Sequence, residues 1–127
     1  MLLLWLDLNS SYAHSSLALP AIHAQVEGKE GNVEWRKVSA TINSNVGSVV
    51  AEIVAARPDV VAATAWLFTH EVLLKITARV KALLPECTII FGGPEMLGDN
   101  EEYLRRNRHV ACVFRGFFLQ RSLRAAP

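Results

Sequence analysis

Apolar residues occur along the chain in short runs that alternate with segments of helical spacing. Five runs predict strands, at positions 2–6, 33–40, 59–66, 87–91 and 109–114. The first run is continuously apolar, which is typical of a strand that is covered on both faces of a sheet. The second alternates apolar and polar residues, which predicts an edge strand with one solvated face. The chain therefore begins with a central strand and continues to an edge strand.

Helical spacing fills the intervals between these runs. Leu19, Ile22 and Val26 predict a first helix, which Gly28 and Gly31 end. Apolar residues at helical spacing predict further helices over positions 44–58, 70–85 and 99–107. The expected buried stripe of the longest helix consists of Leu73, Ile76, Val80, Leu83 and Leu84. Asp99 or Asn100 is expected to cap the last helix.

Regular alternation of strands and helices predicts an α/β fold with a parallel sheet and helices on both faces. For five strands we expect a flavodoxin-like (Rossmann-like) three-layer sandwich with the strand order 2-1-3-4-5, which puts the second strand at an edge. Ligands of such sheets bind beyond the carboxyl ends of the strands, where the order switches between strands one and three. Three loops meet there, at positions 8–16, 64–70 and 92–97.

The last of these loops begins with Gly92 and Gly93, followed by Pro94. A hairpin would use such glycines to turn into another strand, but here a loop and a helix follow. Two adjacent residues without a Cβ at a strand-to-helix crossover allow the backbone to approach a ligand closely, and the proline fixes the turn. The pair could also serve the turn alone, but its position at the switch-point edge favours a ligand.

Composition narrows the possible functions. The chain has 127 residues, of which 51% are apolar and 20% charged, and this suits a single globular domain. A net charge of +1 without a basic block gives no electrostatic case for nucleic acid. The apolar opening at positions 1–9 is too short for a membrane span and lacks the basic residues of a signal peptide, so we expect a cytoplasmic protein with no membrane span. Cys87 and Cys112 are then expected to be reduced thiols.

The order of the three loops is similar to that of cobalamin-binding domains, whose signature is Asp-x-His-x-x-Gly, then Ser-x-Leu, then Gly-Gly. Here 64–66 (Thr-Ala-Trp) stands at the Ser-x-Leu position, and Gly92-Gly93 follows at about the family's spacing. The chain most resembles the amino-terminal cobalamin-binding domain of radical S-adenosylmethionine proteins of the anaerobic Mg-protoporphyrin IX monomethyl ester cyclase group. The motifs that carry this resemblance are Asn9, Tyr12, His14-Ser15-Ser16, Pro58 to Val61, Gly92 to Glu95 and Arg115-Gly116.

The resemblance implies a cobalamin cofactor whose nucleotide tail is buried in a slot at the carboxyl edge of the sheet. It implies no catalytic residue and no metal ligand in this chain. The implied cofactor-binding residues are Asn9, Ser10, Ser11, Tyr12, His14, Ser15, Thr64, Ala65, Trp66, Leu67, Gly92, Gly93, Pro94, Glu95, Arg115 and Gly116. The histidine position of the signature holds Asn9 and its glycine position holds Tyr12, so we expect no protein ligand beneath the cobalt.

The resemblance covers positions 1–116, which we expect to form the cobalamin-binding domain. Positions 117–127 depart from the family, and we expect this basic tail to be a truncated, non-family segment that fits no sixth strand. The chain has no Cys-x-x-x-Cys-x-x-Cys motif, so by itself it is not expected to catalyse a reaction. The implied partner is the radical S-adenosylmethionine barrel of a larger enzyme, which would supply the 4Fe–4S cluster and S-adenosylmethionine.

Other interpretations of the same residues remain open. The Ser-rich loop after the first strand would also suit a flavodoxin-like module that binds flavin mononucleotide, and a ligand-free interaction domain is a further alternative. Ser15 or Ser16 is a good helix cap with or without a ligand. Trp66 could be a packed core residue. The remaining histidines are expected on the surface or at helix caps, and they are His23, His70 and His109.

Overall fold

A computed structural model describes most of the predicted sheet and three helices. The described residues are 1–9, 33–65, 69–92, 100–115 and 118–121, and from 114 onward only the strand backbone is described. The strands are β1 (Leu2–Asn9), β2 (Glu34–Thr41), β3 (Val60–Thr64), β4 (Thr88–Gly92), β5 (Val110–Arg115) and β6 (Phe118–Arg121). The helices are α1 (Val46–Ala56), α2 (His70–Leu83) and α3 (Glu101–Arg106). The helix predicted from Leu19, Ile22 and Val26 lies outside the described residues.

The sheet has the strand order β2-β1-β3-β4-β5-β6, and β1 to β5 are parallel to one another. The predicted flavodoxin-like order 2-1-3-4-5 is therefore confirmed, with β2 at one edge. β1 is buried on both of its faces, as its continuous apolar run predicted. The strand order reverses between β1 and β3. These two strands are neighbours in the sheet, although β2 lies between them in the sequence.

The tail was wrongly expected to fit no strand. Residues Phe118–Arg121 form β6, which pairs antiparallel with β5 so that Arg115 lies opposite Phe118. Only two positions separate β5 from β6, and the first is Gly116, a residue that short hairpin connections favour. An outermost strand needs one neighbour only and tolerates charge, so the basic character of this segment was not evidence against a strand.

The main core lies between the sheet and the first two helices. β1 contributes its even-numbered apolar residues, Leu4, Leu6 and Leu8, and α1 and α2 cover them with residues that include Ile53 and Leu73. The odd-numbered residues of β1 lie on the other face, where the second cluster consists of Trp5 and Ala62, packed against by Leu3 and Trp35. This alternation follows from the two-residue period of a strand.

The buried stripe of α2 differs from the prediction at three positions, one of which is Leu84, a partly buried residue that follows the end of the helix. Leu83, the last residue of the helix, is 61% exposed, so its predicted burial was wrong. Thr77 is fully buried, which its polarity concealed in the sequence. Its hydroxyl donates to the carbonyl of Leu73 at 2.9 Å, one turn earlier, and this bond makes burial of the polar group possible. Leu73, Ile76 and Val80 are buried as predicted.

Asn45 and Arg57 lie at the two ends of α1. The Asn45 side chain accepts a hydrogen bond from the amide of Ser48 at 3.0 Å, which caps the amino end. Arg57 has a left-handed backbone (φ 51°) and returns its amide to the carbonyl of Val54, so the helix ends before Pro58. No described helix has both the length and the apolar character that crossing a membrane requires.

Candidate functional site at the carboxyl edge of the sheet

The carboxyl ends of three strands come together at one edge of the sheet. β1 ends at Asn9, β3 at Thr64 and β4 at Gly92. Thr64 lies opposite Gly92, and the amide of Ala65 donates to the Gly92 carbonyl at 2.7 Å, so the ends of β3 and β4 are joined just as the two strands finish. Leu6 pairs with the next-to-last residue of β3, so β1 continues past its neighbour to Asn9. The sequence prediction of a shared edge is confirmed.

Asp7 and Asn9 form a polar pair at the end of β1. The Asn9 side-chain nitrogen donates to the Asp7 carboxylate at 3.0 Å, and Asp7 is only 3% exposed. A buried carboxylate needs donors of this kind. The bond directs the amide nitrogen of Asn9 toward Asp7 and fixes the side chain that begins the first loop.

A turn after β2 borders the same edge and was not predicted from the sequence. The amide of Ile42 donates to the Asn9 carbonyl at 3.0 Å, which links this turn to the end of β1. Within the turn, the Thr41 amide donates to the Ser44 hydroxyl at 3.0 Å and the Asn43 amide donates to the Thr41 hydroxyl at 3.2 Å. The signal was present, because Thr, Asn and Ser directly after a strand favour such side-chain-bonded turns.

Thr69 is a further residue at this edge that the sequence analysis missed. It immediately precedes α2, and its side chain makes no capping hydrogen bond. Thr69 is 2% exposed, and its hydroxyl has no hydrogen-bond partner in the structure as far as the chain is described. A buried hydroxyl in this state costs about 1–3 kcal/mol. The Thr69 hydroxyl is therefore a candidate hydrogen-bond partner for a polar group of a ligand.

His70 and Tyr103 connect the two helices that begin near this edge. The Nε2 atom of His70 lies 2.7 Å from the Tyr103 hydroxyl, and the two rings are stacked with centroids 5.2 Å apart and an angle of 22° between their planes. His70 is the first residue of α2 and Tyr103 lies in α3. His70 is thus half-buried and paired, and the expectation of a surface or capping histidine does not describe it.

The structure describes five of the predicted site residues, Asn9, Thr64, Ala65, Gly92 and the backbone of Arg115, and all of them lie at the carboxyl ends of strands. Ala65 is fully buried, and its amide is bonded to the Gly92 carbonyl, so it joins two strand ends. The other predicted residues lie outside the described part of the chain. They are Ser10, Ser11, Tyr12, His14, Ser15, Trp66, Leu67, Gly93, Pro94, Glu95 and Gly116.

An open groove of about 400 Å³ lies at the opposite, amino edge of the sheet. Its lining residues are Arg57, Pro58, Asp59, Leu83, Leu84, Pro85, Glu86 and Cys87. Burial raises the pKa of the Cys87 thiol, and the positive charge of Lys81 acts in the opposite direction. Both cysteines are buried and neither is in a disulfide. Because open parallel sheets bind ligands at the carboxyl edge, the groove is not assigned to a cofactor.

Known proteins resemble this chain in fold and, for one family, in sequence. A search of the curated proteins finds no significant match. Among solved structures, a cobalamin-binding protein from Desulfitobacterium hafniense DCB-2 is 15% identical, with a TM-score of 0.57 over 84% of this chain and 49% of that chain. The periplasmic domain of a lipopolysaccharide acetyltransferase from Salmonella ser. Paratyphi A is 14% identical, with a TM-score of 0.51 over 83% of this chain and 52% of that chain.

At these identities the two structures support the fold alone, and the chain spans about half the length of each. Family membership comes from the sequence. The model of the B12 binding domain family matches residues 6–118, which include every described strand end of the carboxyl edge. The chain belongs to the B12-binding domain family, whose cofactor is cobalamin.

Proposed function

We propose that this domain holds a cobalamin at the carboxyl edge of its sheet, with the nucleotide tail buried between the strand ends, as part of a larger radical S-adenosylmethionine enzyme. The observation that carries the proposal is the convergence of Asn9, Thr64 and Gly92 at the switch-point edge, within the stretch that matches the family. The resemblance to cobalamin-binding domains implies that these residues contact the cofactor.

Each described residue of this edge has a role that its chemistry allows. Thr64 stands where the family has a serine, and its hydroxyl would donate to or accept from the nucleotide tail. Gly92 would let the tail approach the backbone. Thr69 would use its unpartnered buried hydroxyl for a polar group of the cofactor. Asn9, bonded to Asp7, would border the corrin. When bound, cobalamin supplies a cobalt centre that changes oxidation state and ligation.

The predicted residues outside the described part complete the proposal from the sequence. The Ser-rich segment at 10–16 would supply hydroxyls and helix amides for ribose and phosphate. Tyr12 and Trp66 would offer flat apolar faces to the ring. Gly93 and Pro94 would continue the slot that Gly92 begins.

The parent enzyme is the finer part of the proposal. The order of motifs from Asn9 to Arg115 resembles the amino-terminal domain of the Mg-protoporphyrin IX monomethyl ester cyclase group. In such an enzyme a radical S-adenosylmethionine barrel with its 4Fe–4S cluster would cover the exposed side of the corrin. The longer protein that contains this domain, isolated without oxygen, should then contain iron and acid-labile sulfide. A protein free of both would contradict the radical enzyme and leave cobalamin binding untouched.

Binding of the cofactor itself is tested by absorption spectroscopy. The domain is mixed in separate samples with hydroxocobalamin and with flavin mononucleotide, desalted, and its spectrum is recorded. We expect the corrin bands to remain with the protein at about one equivalent and the flavin bands to be lost. Retained flavin would support the flavodoxin-like alternative instead. Loss of both ligands would contradict cobalamin binding and favour an interaction domain.

A further inference from the structure

We propose that His70 and Tyr103 form a positioning clamp for the cobalamin site, so that their hydrogen bond contributes to cofactor affinity although neither residue is assigned to contact the cofactor. The inference rests on the proposed function. The term clamp refers to this pair alone, with its 2.7 Å bond between Nε2 and the phenol oxygen and its stacked rings.

The connection from β3 to α2 and the connection from β4 to α3 are joined at the sheet by a backbone hydrogen bond and at the helices by the clamp. The connection from β3 to α2 leaves the sheet at Ala65, and the connection from β4 to α3 leaves it at Gly92. At these near ends the Ala65 amide is bonded to the Gly92 carbonyl at 2.7 Å. At the far ends the two connections reach α2 at His70 and α3 shortly before Tyr103. The described ends of the two connections are therefore joined at the sheet by the Ala65–Gly92 bond and at the helices by the clamp.

Anchoring of the helices does not depend on the clamp. Leu73 of α2 is fully buried and Leu104 of α3 is 2% exposed, so each helix is held on the sheet by its own apolar contact. What the clamp adds is a polar link between the first turns of the two helices, starting from the residue after Thr69. A link at that place fixes the separation and rotation of the helix starts, which determines where the two connections end.

The magnitude of the effect follows from the kind of bond. A hydrogen bond between uncharged groups changes an equilibrium constant by roughly two- to tenfold, and a stacked aromatic pair adds a comparable factor. If binding requires the clamped arrangement, its loss lowers the fraction of the protein that is ready to bind, and apparent affinity falls by the same factor. We therefore expect loss of the hydroxyl to weaken binding about fivefold.

The chain offers a matched control on the same helix. The Thr77 hydroxyl lies 2.9 Å from Nε2 of His109, so it is also a hydroxyl–imidazole pair that joins α2 to a later part of the chain. Thr77 lies two turns from the start of α2 and away from the carboxyl edge. Tyr103→Phe and Thr77→Val each remove one hydroxyl partner of an imidazole and preserve the rest of the side-chain shape.

The experiment measures hydroxocobalamin affinity and backbone hydrogen exchange of the 127-residue chain in parallel. Tyr103→Phe should raise the Kd about fivefold and speed exchange at the amides of Leu73 and Leu104, which bond to the carbonyls of Thr69 and Asn100 in the first turns of α2 and α3. Thr77→Val should lower thermal stability but leave the Kd within about twofold. His70→Phe, which keeps an aromatic ring, should weaken binding no further when combined with Tyr103→Phe.

The outcomes separate the clamp from the function on which it rests. Unchanged affinity and exchange in Tyr103→Phe, with normal binding by the unmodified domain, would overturn the clamp alone. Equal loss of affinity in Tyr103→Phe and Thr77→Val would also overturn it, because the effect would then be general destabilisation. Absence of binding by the unmodified domain would contradict the proposed function and the clamp together.

Discussion

Thr69 gives the clearest test of the site at the level of single residues. Its buried hydroxyl has no partner in the described structure, so the unliganded protein carries the cost of having removed it from water. Thr69→Val keeps the shape and removes that group. We expect the free energy of unfolding of the unliganded domain to rise by about 1 kcal/mol and hydroxocobalamin affinity to fall about fivefold. Urea unfolding and a spectroscopic titration measure the two effects.

Thr41→Val is the matched control for this substitution. Thr41 is equally buried, but its hydroxyl accepts a hydrogen bond from the Asn43 amide in the turn after β2. Removing it should destabilise the domain by about 1 kcal/mol, the opposite sign to Thr69→Val. If both variants lose stability alike, the Thr69 hydroxyl has a structural partner and is not held for a ligand.

For single residues, the sequence predicted those that lie at the ends of strands. Asn9, Thr64 and Gly92 were predicted at the edge because each falls in one of the three loops expected after strands one, three and four, and the structure places each of them at the end of its strand there. Thr41 and Thr69 were not predicted. Whether a threonine is buried, and whether its hydroxyl finds a partner, depends on the three-dimensional course of a turn, which residue types alone do not specify.

Between elements, the pair of His109 and Thr77 predicts a pH dependence of stability. Thr77 donates its proton to the Leu73 carbonyl, so the neutral His109 ring donates from Nε2 to the Thr77 oxygen. Burial lowers the pKa of His109 below its ordinary value of 6.5, and the positive charge of Lys81 lowers it further. The folded protein therefore takes up this proton less readily than the unfolded chain does.

The sign of the effect follows from this difference. The contribution of His109 is fully present above the unfolded pKa of about 6.5 and is lost as the pH falls below it toward the folded pKa. The midpoint of urea unfolding should therefore decrease between about pH 7.5 and pH 5.5. His109→Gln can still donate to Thr77 and should lack this decrease. An equal decrease in the variant would assign the effect to other groups.

Helices and strands were predicted with different success for physical reasons. Apolar periodicity predicted α2, but its final turn passes beyond the core, which left Leu83 exposed while Thr77 was buried. β6 was missed because its four residues are too few for a clear strand pattern and lie in a basic tail, whereas an outermost strand needs only a turn and a neighbour with which to pair. Apolar periodicity thus predicts which residues pack in the core, but it is a weak guide to helix ends and edge strands that lie outside the core.

At the scale of the whole molecule the strand order was the most predictable property. A continuously apolar first strand must be central and an alternating second strand suits an edge, so few arrangements of five parallel strands remain. The confirmed order brings the carboxyl ends of β1, β3 and β4 together at one edge of the sheet. The groove beside Cys87 lies at the opposite edge. Fold and edge were thus predictable, whereas the parent enzyme rests on resemblance.

The whole arrangement also predicts the ligation of cobalt in the loaded domain. The proposed resemblance to the family signature puts Asn9 at the histidine position, and the Asn9 side-chain nitrogen donates to Asp7 at 3.0 Å. The lone pair of an amide nitrogen is delocalised into its carbonyl group, so this nitrogen is a poor donor to a metal. If the nucleotide tail is buried between the strand ends, as proposed, its benzimidazole would also be kept from the metal. We expect electron paramagnetic resonance of the cobalt(II) complex to show cobalt lines that no axial nitrogen splits.

Asn9→His is the positive control for that spectrum. It restores the Asp-x-His pattern, and Asp7 is placed to accept a hydrogen bond from the new imidazole and orient it, as carboxylates orient metal-binding histidines elsewhere. Each cobalt line should then split into three. His14 is the competing nitrogen donor in the sequence. Triplets in the unmodified domain that disappear in His14→Ala would contradict the prediction, because a histidine of the loop would then occupy the position beneath the metal that Asn9 leaves without a nitrogen ligand.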